Sequence, residues 1–128
     1  MNEFDGHVFD LVVLESPYAG DIALNVAYAR ACMADCLARG EAPYASHLLY
    51  TQPGVLRDEI PEERVKGIAA GFAWGDKADR RVVYTDLGMS SGMVAGVKRA
   101  GTIGQPVEFR ELGPAALQMV RDEAESSR

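Results

Sequence analysis

Ser90, Ser91 and Gly92 stand where a short strand-forming run, Arg81 to Thr85, passes through Asp86, Leu87 and Gly88 into a helical stretch. The first amides of a helix have no intrahelical acceptor and point outward, and the helix dipole adds positive charge at that end. Two hydroxyls beside those amides, with a glycine that lets a ligand approach the backbone, make a seat for a phosphate or a carboxylate. The other reading of Ser90 is a cap, its hydroxyl accepting from an amide of the first turn.

Two acids flank that seat in the expected fold. Glu15 lies where the apolar run FDLVVL leaves the core, a place that does not favour an unpaired carboxylate. Asp86 holds the same position after its own strand. If the two strands are neighbours, about 4.8 Å apart, both carboxylates approach one crevice, where paired acids push one pKa upward for acid–base work. The alternative is that both are solvated or cap amides. His47 either donates a hydrogen bond to a ligand or satisfies a loop carbonyl. A nucleophile pair with Ser46 is not expected, because neighbours on an extended segment point to opposite faces and no Gly-x-Ser-x-Gly elbow precedes a helix. Tyr18, in the loop ESPYAGD, is the aromatic best placed to stack on a flat ring, whereas Trp74 reads as packing.

Composition limits what these residues can serve. Of the 128 residues, 48% are hydrophobic and 25% charged, the balance of one ordinary globular domain. With a formal net charge of -6 and 13 scattered Lys and Arg, there is no basic stripe for a phosphate backbone, so duplex nucleic acid is not an expected partner. No apolar stretch reaches the ~20 residues of a membrane span. The opening MNEFDGHVF lacks the basic and apolar regions of a signal peptide, so a cytoplasmic protein with no membrane partner is expected. Cys32 and Cys36, one helical turn apart, read as core thiols. His7 and His47 are the chain's two histidines; neither a metal site nor a cofactor is expected.

The elements that must position the site follow from periodicity. Phe9–Leu14 predicts a strand buried on both faces, and Ile22–Ala38 a helix capped by Asp21 and closed before Gly40. Ala42–His47 predicts a short second strand, and 48–60, with Pro53 and Gly54, a long loop of the kind that forms lids. A helix starts at Pro61 with Glu62 and Glu63 in its first turn and runs to about Trp74. Arg81–Thr85, Ser90–Ala100, Pro106–Arg110 and Pro114–Glu123 predict strand, helix, strand and helix. This alternation makes a small doubly wound α/β domain over 1–124, with a parallel sheet of four to five strands, helices on both faces and a frayed tail at 125–128. Ligands in such sheets sit beyond the carboxyl ends of the strands, and a domain of this size is expected to form a homo-oligomer.

Three stretches, LVVLESPYAGDIALNVAYARA, GEAPYASHLLYTQ and SSGMVAGVKRAGTIGQPVEFREL, resemble in this order the nucleoside 2-deoxyribosyltransferase-like superfamily. These flavodoxin-like (Rossmann-like) domains include deoxyribosyltransferases and nucleotide N-glycosidases, which are hydrolases, and the resemblance extends to a phage and bacterial subgroup. It covers most of the chain and implies a nucleoside or nucleotide ligand. The first loop and its tyrosine would line the sugar site, and the serine and glycine opening the later helix would hold a 5′-hydroxyl or 5′-phosphate. Carried over, those roles fall to Ser16, Pro17, Tyr18, Ser90 and Gly92. Asp21, Asn25, His47, Ser91 and Met93, in the same stretches, join them as expected ligand-binding residues. The superfamily's catalytic glutamate stands one turn into that helix, in a pattern like S-x-G-x-x-x-E. Here the pattern ends in Gly96. Either Glu15 or Asp86 supplies the acid in its place, or the domain holds a nucleotide-like metabolite without cutting it.

Overall fold

A computed structural model describes residues 2–128. Its strands are β1 (Asp10–Glu15), β2 (Glu41–Tyr44), β3 (Arg80–Tyr84) and β4 (Val107–Arg110), and its helices α1 (Ile22–Ala38), α2 (Ser46–Leu49), α3 (Pro61–Gly75), α4 (Ser91–Ile103) and α5 (Pro114–Ser126). The strands form one parallel sheet in the order β2-β1-β3-β4. The doubly wound α/β expectation is met with four strands, and β1 and β3 are neighbours, Glu15 pairing with Val83.

Successive strand residues face opposite sides of the sheet, and here the two sides differ in chemistry. Val12, Leu14, Val82 and Tyr84 pack with Tyr28, Cys32 and Cys36 of α1 and with Val120 and Ala124 of α5 into one apolar core. The other side carries Val13, Glu15 and Arg81 toward α3 and α4. α3 approaches its neighbours through glycines: a methyl on Gly75 would stand 2.9 Å from Val13 of the sheet, and one on Gly71 would stand 2.7 Å from the Ser46 hydroxyl of α2. That close approach is the reason a helix keeps residues that weaken it by roughly 1 kcal/mol each against alanine.

Three element ends differ from expectation by more than one residue. β2 ends at Tyr44, where its pairing with β1 ends, and the helical bonds Leu49 N to Ala45 O (3.2 Å) and Tyr50 N to Ser46 O (3.0 Å) carry Ser46 and His47 into α2. α4 extends to Ile103 because Gly104, at φ 72°, supplies the left-handed residue that closes it. The tail expected to fray instead continues α5 through Ser126, and Arg128 beyond it meets Asp21 at 2.8 Å and Glu125 at 2.9 Å.

A buried polar network ties the sheet edges together. Arg110 grips Glu41 through two bonds of 2.7 and 2.6 Å, Arg80 also bonds Glu41, and Arg110 reaches Glu108. Hydrogen bonds from Arg110, then Arg80, against the cost of burial, hold the Glu41 carboxyl at about 2. No helix is long and apolar enough to cross a membrane among the described residues.

Candidate active site

The strand order reverses between β1 and β3, and a cavity of about 130 Å³ opens beyond their carboxyl ends, as the topology requires. The loop after β1 lines it with Ser16 and Tyr18, α2 with His47, and the start of α4 with Ser90 to Met93. Glu15 and Arg81 line it from the sheet. A wider chamber of about 550 Å³, walled by Thr51 to Asp58, shares Tyr18, Ala19, Asp58 and Arg64 with it. The stretch expected to act as a lid therefore forms the wall of an outer compartment.

Glu15 is the most perturbed acid of the site. Its side chain is 13% exposed, and burial, partly offset by the charge of Arg81, pushes its pKa up to about 7. Arg81 Nη1 lies 3.5 Å from Glu15 Oε2, yet neither Glu15 Oε2 nor Arg81 Nη2 has a hydrogen-bond partner. A methyl on Gly96 would stand 2.7 Å from Glu15 Cδ, closer still to Oε2, and 3.2 Å from Arg81 Nη1. Gly96 is glycine because the Glu15 carboxylate lies against its Cα.

The other walls are polar and ordered. Ser16 Oγ and His47 Nε2 are 2.7 Å apart. Burial pushes His47 down to about 4, so the ring is neutral at pH 7. The cap reading of Ser90 holds, since its hydroxyl accepts from Met93 N at 3.2 Å. Ser91 Oγ accepts from Arg64 at 3.0 Å, which puts a cation at the positive end of α4. Ser90, Ser91, Gly92 and Met93, with Ser16, Tyr18 and His47, are thus gathered around one cavity with Glu15.

Four expected residues are placed elsewhere. Asp86 does not share the crevice with Glu15: its carboxylate accepts from Tyr28 Oη (2.7 Å), Leu112 N (2.8 Å) and Gly113 N (3.0 Å), on the side of the sheet that α1 and α5 cover. Burial acts to raise its pKa, and these hydrogen bonds outweigh burial and hold it below the usual carboxylate range. Asp21 caps α1 through Leu24 N and pairs with Arg128, away from the cavity. Asn25 is buried and donates to the carbonyls of Tyr18 and Ala19, so it shapes the loop that carries Tyr18. Pro17 is buried behind Ser16 and Tyr18 and does not line the cavity.

Arg81, Arg64 and Asp58 were not expected at the site. Arg81 opens a strand-forming run and reads as a flanking charge, and its burial at 1% exposure depends on partners that are distant in sequence. Arg64 lies on a helix whose polar face carries several charges, and nothing local marks the one that turns toward α4.

No curated protein matches the chain, and no solved structure matches it. One family model does, over residues 10–110, which span β1 through β4 and every residue that lines the inner cavity. The chain belongs to the family described as a domain of unknown function, DUF7768.

Proposed function

We propose that this domain binds a nucleoside or nucleotide and breaks its N-glycosidic bond, with Glu15 supplying the carboxylate that the resemblance expects at position 96. One observation carries the reading: the Glu15 carboxylate fills the space that a side chain on Gly96 would need. In this reading the acid comes from the end of β1 and not from α4, and it lies against the same helix at Gly96. In that role the carboxylate attacks or stabilises the anomeric carbon as the base departs with the bonding pair, and water then releases the sugar. Ser90, Ser91 and Arg64 are suited to a 5′-hydroxyl or 5′-phosphate, and Tyr18 to a ring at the mouth of the outer chamber. The setting we infer is the cytoplasm, with the chain as a homo-oligomer.

The test is release of free base, read by chromatography, from a panel of nucleosides and nucleoside 5′-monophosphates. Wild type should release base from at least one of them, and Glu15→Gln should stop the release while leaving the fold intact. A second reading, a binder that does not cut, is favoured by the ion pair itself, since Arg81 at 3.5 Å already engages the carboxylate. Binding by calorimetry with no base released across the panel would select the binder.

A further inference from the structure

This domain buries two Arg–Glu pairs, and they are built in opposite ways. Arg110 and Glu41 form a bidentate pair with every side-chain N–H and carboxylate oxygen of the contact engaged, remote from the cavity. Arg81 and Glu15 meet at one point, 3.5 Å apart, and leave Nη2 and Oε2 without hydrogen bonds. Desolvating two charges is costly unless geometry and hydrogen bonds compensate, so a loose buried pair is a poor way to stabilise a fold. Its looseness needs another reason.

Arg81 itself is not loose. Its Nε donates to Gln105 Oε1 at 3.1 Å, and Gln105 in turn donates to the carbonyls of Gly75 (2.8 Å) and Ala78 (3.2 Å). The guanidinium lies 5.9 Å over the Phe72 ring, whose other cationic neighbour, Arg99, is held by Asp76. The sheet, α3 and the turn before β4 therefore fix the cation, and Gly96 leaves the room that brings Glu15 to it. The other titratable or charged groups that line the cavity are Arg64 from α3, Asp58 from the loop before it, Tyr18 from the loop after β1 and neutral His47 from α2; the serines at 16, 46, 90 and 91 are uncharged.

We infer that Arg81 is a positioning residue for Glu15: a fixed guanidinium that holds the carboxylate in place and favours its charged form, without the bidentate grip that would tie up both oxygens. A bidentate grip like that of Arg110 would occupy both oxygens. A carboxylate left beside Gly96 without the cation would take up a proton as the cheapest answer to burial. The inference rests on the reading of Glu15 as the reacting acid, but its test does not need turnover.

The experiment is a pH titration of the Glu15 side-chain carboxyl by carbon-detected NMR, in wild type, Arg81→Lys and Arg81→Met. The expected midpoint in Arg81→Met is higher than in wild type by about 1 pH unit or more, the usual effect of an adjacent opposite charge. Arg81→Lys should recover at least half of that rise, which a merely structural role of Arg81 would not produce. An unchanged midpoint in folded Arg81→Met, or no recovery with lysine, overturns the inference. Should Arg81→Met fail to fold, Gln105→Leu keeps the charge and removes its strap. There the midpoint should also rise, and an unchanged midpoint again overturns the inference. The two readings fail separately: a shifted titration with no base released rejects glycosidic cleavage alone, and base release with an unshifted titration rejects the role of Arg81 alone.

Discussion

The Glu15 carboxylate rests against the Cα of Gly96, so close that a methyl there would lie 2.7 Å from its Cδ. Glycine inside a helix costs roughly 1 kcal/mol against alanine, and α4 bears that cost to admit an acid from the neighbouring strand. Gly96→Ala is therefore expected to destabilise the domain by about 1–3 kcal/mol through overpacking. In a Glu15→Ala background the same change should cost much less, because the main obstacle is gone, the propensity gain of up to about 1 kcal/mol remains, and only Arg81 Nη1 at 3.2 Å still has to give. Urea unfolding of the four proteins in this cycle measures the coupling between the two positions.

The same relationship makes a chemical prediction. Exchanging the two residues, Glu15→Gly with Gly96→Glu, returns the acid to the helix and vacates the space it needs. If the proposed cleavage holds, base release lost in Glu15→Gly should reappear in part in the exchanged protein, measured with a nucleotide from which the wild type releases base. An exchanged protein that folds and binds that nucleotide without cleaving it argues that the acid has to act from the end of β1.

The two buried acids should give stability opposite pH dependences. Glu15 has a folded pKa of about 7 against an ordinary 4.5, so in this window the native state holds more protons than the unfolded one. Its contribution is present below about 4.5 and is lost as the pH rises through about 7. Glu15→Gln should leave the melting temperature near wild type at pH 5 and raise it at pH 8. Glu41, held at about 2, contributes above 4.5 and loses that contribution as the pH falls toward 2. Glu41→Gln strands Arg110 in the interior and should cost about 3–5 kcal/mol at pH 7, the usual penalty for breaking a buried pair. Melting curves across pH 3–8 for both variants test the two signs together.

The fold was legible because strand and helix periods alternate along most of the chain, and four helix starts carry their own chemistry, Asp21, Pro61, Ser90 and Pro114; α2, which has no side-chain cap, read as the end of a strand. Half of the site was legible for the same reason, since loops that follow β1 and β3 must meet at the reversal of strand order. What stayed hidden was side-chain direction. Glu15 and Asp86 both follow a parallel strand, yet Glu15 points toward α4 and Asp86 toward α1 and α5, a difference set by which side of the sheet each side chain leaves. Glycine at 96 read as a missing acid, and its meaning depends on a residue 81 positions earlier in the chain. Arg81 was hidden by its own strand, because a charge at a strand start is ordinarily solvated and this one is enclosed by α3 and Gln105.

Ser16 and His47 give a prediction about the inner wall. Burial keeps the imidazole neutral down to about pH 4, and its contact with Ser16 at 2.7 Å sets which way the ring faces. Nitrogen NMR of His47 should report a neutral ring from pH 5 to pH 8. Ser16→Ala should leave that charge state as it is, since desolvation and not the hydroxyl depresses the pKa, and should weaken nucleotide binding by loosening the wall. A charged His47 at pH 6 in the wild type would contradict the burial argument.

Asp86 gives the control for the proposed role of Glu15. Its two oxygens accept from Tyr28 Oη, Leu112 N and Gly113 N, which fastens the turn after β3 to α1 and to the start of α5. Asp86→Asn keeps the shape but turns one acceptor into a donor that faces amide donors. The half-buried Leu112 or Gly113 N–H then loses its partner, at about 1 kcal/mol. The variant should therefore unfold at a lower denaturant concentration than wild type while keeping base release per folded molecule, whereas Glu15→Gln should do the reverse at pH 8. Activity of each variant, normalised to the folded fraction measured by circular dichroism, decides the assignment. If Asp86→Asn abolished release in a fully folded protein, the acid that acts on the sugar would be Asp86, and Glu15 a buried partner of Arg81.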